Sequence, residues 1–215
     1  MVQADTTAKS ERNPDQTRTR ILEAAFLEMY RNGFQGMRVD DVLTETGLTK
    51  GALYYHFPNK QALGYAVVDE VLLPTIESIW LQPIRNAEDP FKGLISVIEQ
   101  MPEGKPPEML QYGCPLNNLA QEMSPLDEGF RERLDHVFGV WRGVMRTALE
   151  DAQDRDVLRA DVDCDETATF ILAAVEGCIG MAKNTQNVET LKRCNRGLIQ
   201  FLLSLTRTEA PVNAE

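Results

Sequence analysis

The sequence predicts an all-α chain of about nine helices, divided into an N-terminal helix-turn-helix unit and a larger C-terminal helical unit. Three observations predict it. Apolar residues recur at helical spacing, first in Ile21, Leu22, Ala25, Phe26 and Met29, and no stretch shows the period-two alternation of a strand. Capping and stop signals punctuate the chain at helix-length intervals. The charge is unevenly divided: residues 1–65 hold eight basic and eight acidic residues, so the whole formal charge of −11 lies in the remainder.

Asn13 caps the first helix, with Pro14 at its first position and Gln16 completing a capping box, and Gly33 ends it. A short second helix runs from Val39 to Thr46. Asp40 and Asp41 in its first turn complement the helix dipole, but Arg38 stands where a capping Ser or Thr is expected. Gly47 stops it, Leu48 anchors the turn, and Thr49 caps a third helix from Lys50 to His56. Pro58 ends that one, and Asn59 caps a fourth reaching about Trp80, in which Pro74 is expected to force a kink or a break.

A fifth helix covers 90–101, and the proline-rich stretch 101–113 reads as a loop. Cys114-Pro115 opens a sixth helix, Ser124 to Asp127 carries the capping signal of a long seventh to about Arg155, and residues 163–183 and 187–206 form two apolar helices. Residues 1–13 are expected to be a disordered arm, 14–59 the helix-turn-helix domain, 60–207 the C-terminal domain and 208–215 a flexible tail.

Composition excludes several functions. No apolar run is long enough to span a bilayer, and the polar N-terminus is not a signal peptide, which points to a cytoplasmic protein without a membrane partner. Cys114, Cys164, Cys178 and Cys194 form no CxxC pair and have no histidine at zinc-ligand spacing, so reduced thiols are expected, with neither metal nor cofactor. No histidine base near a nucleophile, no nucleophile elbow and no phosphate-cradling glycine loop argues for an enzyme.

Residues 39–56 have helix-turn-helix proportions, and the second helix of such a motif lies in the DNA major groove. Leu53 and Phe57 can pack inward, leaving Lys50, Tyr54, Tyr55 and His56 as a polar, aromatic rim whose donors suit phosphates and base edges. Lys60, in the first turn of the following helix, adds a cation beside free backbone N–H groups.

The run from Thr17 to Leu63, above all GLTKGALYYHFPNK at 47–60, resembles the tetracycline-repressor (TetR/AcrR) family of bacterial regulators. The resemblance implies a homodimeric regulator of transcription, most often a repressor. Its first three helices would bind a near-palindromic double-stranded operator, and the remainder would bind a small-molecule or electrophile effector and dimerise through the last two helices. Lys50, Gly51, Ala52 and Tyr55 would face base edges, while Thr17, Arg38, Thr49, Tyr54, His56 and Lys60 would hold phosphates. Arg38 and Leu43 depart from the family pattern, in the cap of the second helix and in its packing. Ligand or thiol modification would shift the fourth helix and change the spacing of the two recognition helices.

YGCPLNNLAQEMS at 112–124 is similar to one subgroup of the family, in which Gly-Cys opens the sixth helix and the cysteine has a sensing role in some members. Cys114 at a helix N-cap would face the positive end of the dipole, which favours the thiolate. In that subgroup a partnering lysine stands at the position of Lys183. Cys114 reads either as a small buried residue beside a ligand pocket or as a reactive sensor. Tyr112, Asn117, Asn118, Met123, Trp141 and Glu176 complete the pocket candidates. An activator of the same fold and a thiol-based redox sensor acting through Cys114 are the alternatives to a ligand-released repressor.

Overall fold

A computed structural model of the protein describes residues 14–103 and 107–207. The capping residue Asn13, the N-terminal arm and the C-terminal tail therefore lie outside the described residues. Those described are overwhelmingly helical, with only an isolated antiparallel bridge between Leu158 and Thr206. The all-α expectation holds. The chain forms two compact units that divide at Val67/Val68.

In the first unit, α1 (Pro14–Gly36) packs against α2 (Val39–Thr46), α3 (Lys50–His56) and α4 (Lys60–Val67). Regular geometry in α1 stops at Gly33 (φ 73°, ψ 169°), after which one further turn reaches Gly36. Gly47 takes the left-handed conformation expected of it (φ 64°, ψ 19°), and its N–H caps Leu43 O. Thr49 Oγ1 accepts from Ala52 N and Asn59 Oδ1 from Ala62 N, at 3.3 and 2.7 Å. Arg38 is the N-cap of α2 without a side-chain capping bond, as the missing Ser or Thr implied. Ile21, Leu22, Ala25, Val42, Leu53, Phe57 and Leu63 are buried in this unit.

The second unit begins in a stretch where the sequence reading needs correction. Residues 60–85 stay helical throughout, so Pro74 does not break the chain and the helix does not end near Trp80. Instead a π-helical turn precedes each proline: Val68–Leu72 before α5 (Leu73–Ile76), which holds Pro74, and Glu77–Leu81 before α6 (Gln82–Arg85), which holds Pro83. A proline ring crowds the carbonyl four residues back, here Glu70 and Ile79. The wider i→i+5 turn accommodates that carbonyl without ending the helix.

After α7 (Pro90–Gln100), a short helix α8 (Pro107–Tyr112) occupies part of the stretch read as a loop. Its prolines fooled the reading because Pro107 sits at the helix start, where a missing N–H costs nothing. Then come α9 (Pro115–Met123), α10 (Glu128–Asp154), α11 (Cys164–Thr185) and α12 (Val188–Ser204). The cap of α10 is Asp127, which accepts from Phe130 N at 2.9 Å, and Ser124 instead closes α9. Asp163 and Asn187 cap α11 and α12 in the same way.

The helix α10 packs on α7, α9 and α11, and α11 pairs with α12. Trp141 of α10 is fully buried against Trp80, their ring centroids 4.8 Å apart. Between α11 and α12, Phe170 meets Phe201 at 5.0 Å, while burial and the neighbouring Cys194 push the Cys178 thiol up to about 12.

Asp89 ties α7 to the end of α10. It caps α7 through Lys92 N at 3.1 Å and meets Arg155 at 2.9 Å, which holds its carboxyl down at about 2. A depressed carboxyl contributes stability above its ordinary pKa of 3.8 that is lost as pH falls toward 2. Asp89→Ala is expected to cost about 1–2 kcal/mol through the lost cap. Thermal melts at pH 7 should show a Tm lower by a few degrees, and the gap to wild type should narrow below pH 3.

Candidate functional site

Two clusters of side chains stand out, one in each unit. In the first, α3 is held from beneath and left open above. Leu53 and Phe57 are buried, and the guanidinium of Arg18 from α1 lies 4.8 Å from the centroid of the Phe57 ring. Arg20 of α1 donates to Thr46 O at 2.6 Å, closing the end of α2. These anchors present the opposite face of α3 to solvent: Tyr55 is 81% exposed, and Lys50, Gly51 and Tyr54 are exposed as well. Ala52 and His56 are half-buried, and His56 meets the Tyr55 ring edge-on at 5.1 Å.

Gly51 is informative. A Cβ there would meet only Thr49 Oγ1, at 3.9 Å, so nothing within the protein requires glycine at an exposed helical position. Glycine in a helix costs about 0.5–1 kcal/mol relative to alanine. The fold thus carries a helix-weakening residue on its most exposed aromatic face.

The remaining candidates on this unit are Thr17, half-buried on α1, and Arg38 and Thr49, both exposed. Lys60 is half-buried: its Nζ donates to Gln35 O at 3.1 Å and stands 4.9 Å from the centroid of the Phe34 ring. Its ammonium therefore seals the end of α1, an attachment the sequence did not suggest. A second partner the sequence missed is Asp40, whose Oδ1 lies 2.9 Å from Lys50 Nζ. The two residues are on different helices, so only the crossing of α2 and α3 brings them together.

In the second unit, Cys114 is the N-cap of α9, as expected, but its thiol is buried and makes no capping bond. Burial first, and then the nearby Glu176 carboxyl, push it well above its ordinary value. The N–H groups of Asn117 and Leu116 pull the other way and do not compensate. The lowering expected from the helix dipole is thus outweighed by desolvation.

Glu176, on α11, is 8% exposed, and neither of its oxygens meets hydrogen-bond geometry, although the Cys114 thiol and the Asn117 side chain lie near enough to act on it. Desolvation raises it to about 7. Lys183 does not pair with Cys114. Its Nζ donates to Asn118 Oδ1 at 3.1 Å, and Asn118 Nδ2 donates to Tyr112 O at 2.6 Å. Gly113 (φ 81°) lets the Lys183 stem pass, since a Cβ would sit 2.9 Å from its Cδ. Met123 is buried at the end of α9, and the buried Trp141 Nε1 has no hydrogen-bond acceptor. Among the described residues no cluster of His, Cys, Asp and Glu could hold a metal ion, and no helix is long and apolar enough to cross a membrane.

A short helix-turn-helix on a three-helix scaffold, followed by a larger helical unit, defines a DNA-binding regulator class. Residues 21–67 match the model for bacterial regulatory proteins of the tetR family, and residues 92–198 the model for the tetracyclin repressor-like C-terminal domain. The chain belongs to the TetR family of transcription regulators. It is 28% identical over 181 residues to an HTH-type transcriptional regulator in the lacX 3′ region of Lactococcus lactis, covering 82% of this chain and 88% of that one. It is 25% identical over 196 residues to the HTH-type transcriptional repressor DhaR of Mycobacterium sp. strain GP1, covering 88% and 93%. A TetR-family regulator from Cytophaga hutchinsonii superposes with a TM-score of 0.82 at 23% identity, over 91% of this chain and 98% of that one.

The raised Glu176 has a direct consequence for stability. Between its ordinary value of 4.5 and about 7, the unfolded chain releases a proton that the folded chain keeps, so stability falls as pH rises through that window. Glu176→Gln is expected to remove this slope and to raise Tm above pH 7, by a free energy on the order of a few kcal/mol at most. Melting curves between pH 4.5 and 8 for both proteins check it.

Proposed function

We propose that the protein is a sequence-specific repressor that binds a near-palindromic operator as a homodimer in the cytoplasm and is released by a small ligand held in its second unit. The observation that carries the DNA-binding part is the outer face of α3. It exposes two tyrosines and a lysine around a glycine for which the fold has no use. A surface of that kind is explained by a partner that approaches closely.

Lys50, Gly51, Ala52 and Tyr55 face base edges, and Thr17, Arg38, Thr49, Tyr54, His56 and Lys60 contact phosphates on this reading. Dimerisation is supported by Phe170 and Met181 of α11 and Leu203 of α12, which are each more than half exposed despite being large and apolar. Two recognition helices related by that contact would sit one DNA turn apart, about 34–36 Å.

The effector site is built from Cys114, Glu176, Asn117, Asn118, Tyr112, Lys183, Met123 and Trp141. The unpartnered Glu176 oxygens and Trp141 Nε1 suit a weakly polar ligand that offers both a donor and an acceptor. The raised Cys114 thiol favours such a reversible ligand over an electrophile as the signal.

A gel shift on the DNA upstream of its own gene tests the reading. A salt-sensitive complex that random DNA of equal length does not form is expected, and its absence overturns the proposal. Lys60→Ala should weaken binding on every sequence and lower the salt slope by about 1, whereas Lys50→Ala should relax preference at one base pair. Gly51→Ala separates stability from function: it should stabilise the fold by up to about 1 kcal/mol while weakening operator binding at least tenfold. Met181→Asp should shift the protein to monomer in analytical ultracentrifugation.

A further inference from the structure

Lys50 opens α3 with its ammonium already engaged. Nζ lies 2.9 Å from Oδ1 of Asp40 in the first turn of α2, and both side chains are well exposed, at 66% and 60%. The contact draws Asp40 below and Lys50 above their ordinary values, with Arg38 adding to the pull on Asp40 and Tyr54 to that on Lys50. An exposed pair of this sort contributes little to folding. Its importance lies in where it holds the cation.

A lysine at the start of a recognition helix has a long flexible stem and three donors. Left alone, it can swing to any phosphate within reach, and such contacts favour all DNA equally. Discrimination requires that its charge be delivered at one place.

Resting on the DNA-binding reading above, we propose that Asp40 is a specificity-determining positioning residue, which tethers Lys50 toward the α2 side of α3 so that its ammonium serves a base-edge acceptor at that spot and is withheld from phosphates of arbitrary sequence. On random DNA the pair stays closed, and Lys50 displaces few counterions. On the operator, an acceptor in reach of the tethered ammonium shares it with Asp40. Asp41 is the natural comparison. It is the next residue of the same helix turn, carries the same charge and is exposed, but Lys50 is paired with Asp40.

The test is a fluorescence-anisotropy titration of the full-length protein over a salt series. The probes are a duplex from upstream of its own gene and a random duplex of the same length. Asp40→Asn is expected to tighten binding to random DNA by about 3–10-fold and to steepen its salt slope by about 0.9, the gain from one released lysine. Operator binding should change less, so the operator-to-random ratio falls by a similar factor. Asp40→Glu should restore most of the ratio. Asp41→Asn should leave it within about twofold, although it loses a comparable helix-dipole interaction. In a Lys50→Ala background, Asp40→Asn should no longer move the ratio, because the cycle isolates the coupling between the two side chains.

An unchanged ratio in Asp40→Asn, an equal loss in Asp41→Asn, or an Asp40 effect that survives removal of Lys50 each overturns the proposal. The last two would mean general repulsion of phosphates by acid at the start of α2. A wild-type protein that forms no salt-sensitive, sequence-selective complex overturns the DNA-binding reading itself, and the role of Asp40 with it.

Discussion

The recognition helix α3 is seven residues long, and a helix that short does not persist in water by propensity alone. It depends on one apolar contact: Leu53 and Phe57 buried against the first unit, with the Arg18 guanidinium over the Phe57 ring. Everything proposed for the DNA face follows from that anchor. Because two side chains carry the packing, the others are free to be polar and aromatic, and one of them can be a glycine.

The same economy governs the charge. A chain with a formal charge of −11 binds DNA only if attraction is local. The first 65 residues are neutral in sum, so steering must come from individual cations within a Debye length of about 8 Å at physiological salt. Two of those cations are spoken for within the protein, Lys50 by Asp40 and Lys60 by Gln35 O. On the proposed reading, such a surface would discourage binding to arbitrary DNA and reward a sequence that offers acceptors in the right places.

Much of the fold was legible because it is written in local chemistry. Gly47, Thr49 and Asn59 act within a few residues of themselves, and the structure finds each in the turn or cap expected of it. The misreadings share a cause of another kind. Pro74 and Pro107 carry a local signal whose outcome depends on geometry several residues away: a wide turn in the first case and a helix start in the second. The Cys114 site shows the same limit. Its place at a helix N-terminus was readable, but the sign of its shift is set by burial and by Glu176, sixty-two positions later in the chain. The Asp40–Lys50 pair was invisible because it spans two helices whose crossing no spacing rule specifies.

The π-helical turns before Pro74 and Pro83 reach beyond the prolines themselves. Val68, Leu72, Ile76, Trp80 and Ile84 are all buried, one every four residues. In a regular α-helix, four residues overshoot a full turn by about 40°, so five such positions would drift by about 160°, from core to solvent. Each wide turn gives some of that rotation back. The two turns thus act as phase corrections that keep a four-residue repeat facing one way. Deleting one residue inside either turn should therefore leave a plain α-helix whose later apolar side chains still face the same way, whereas deleting one from the regular turns would rotate all that follow by about 100°.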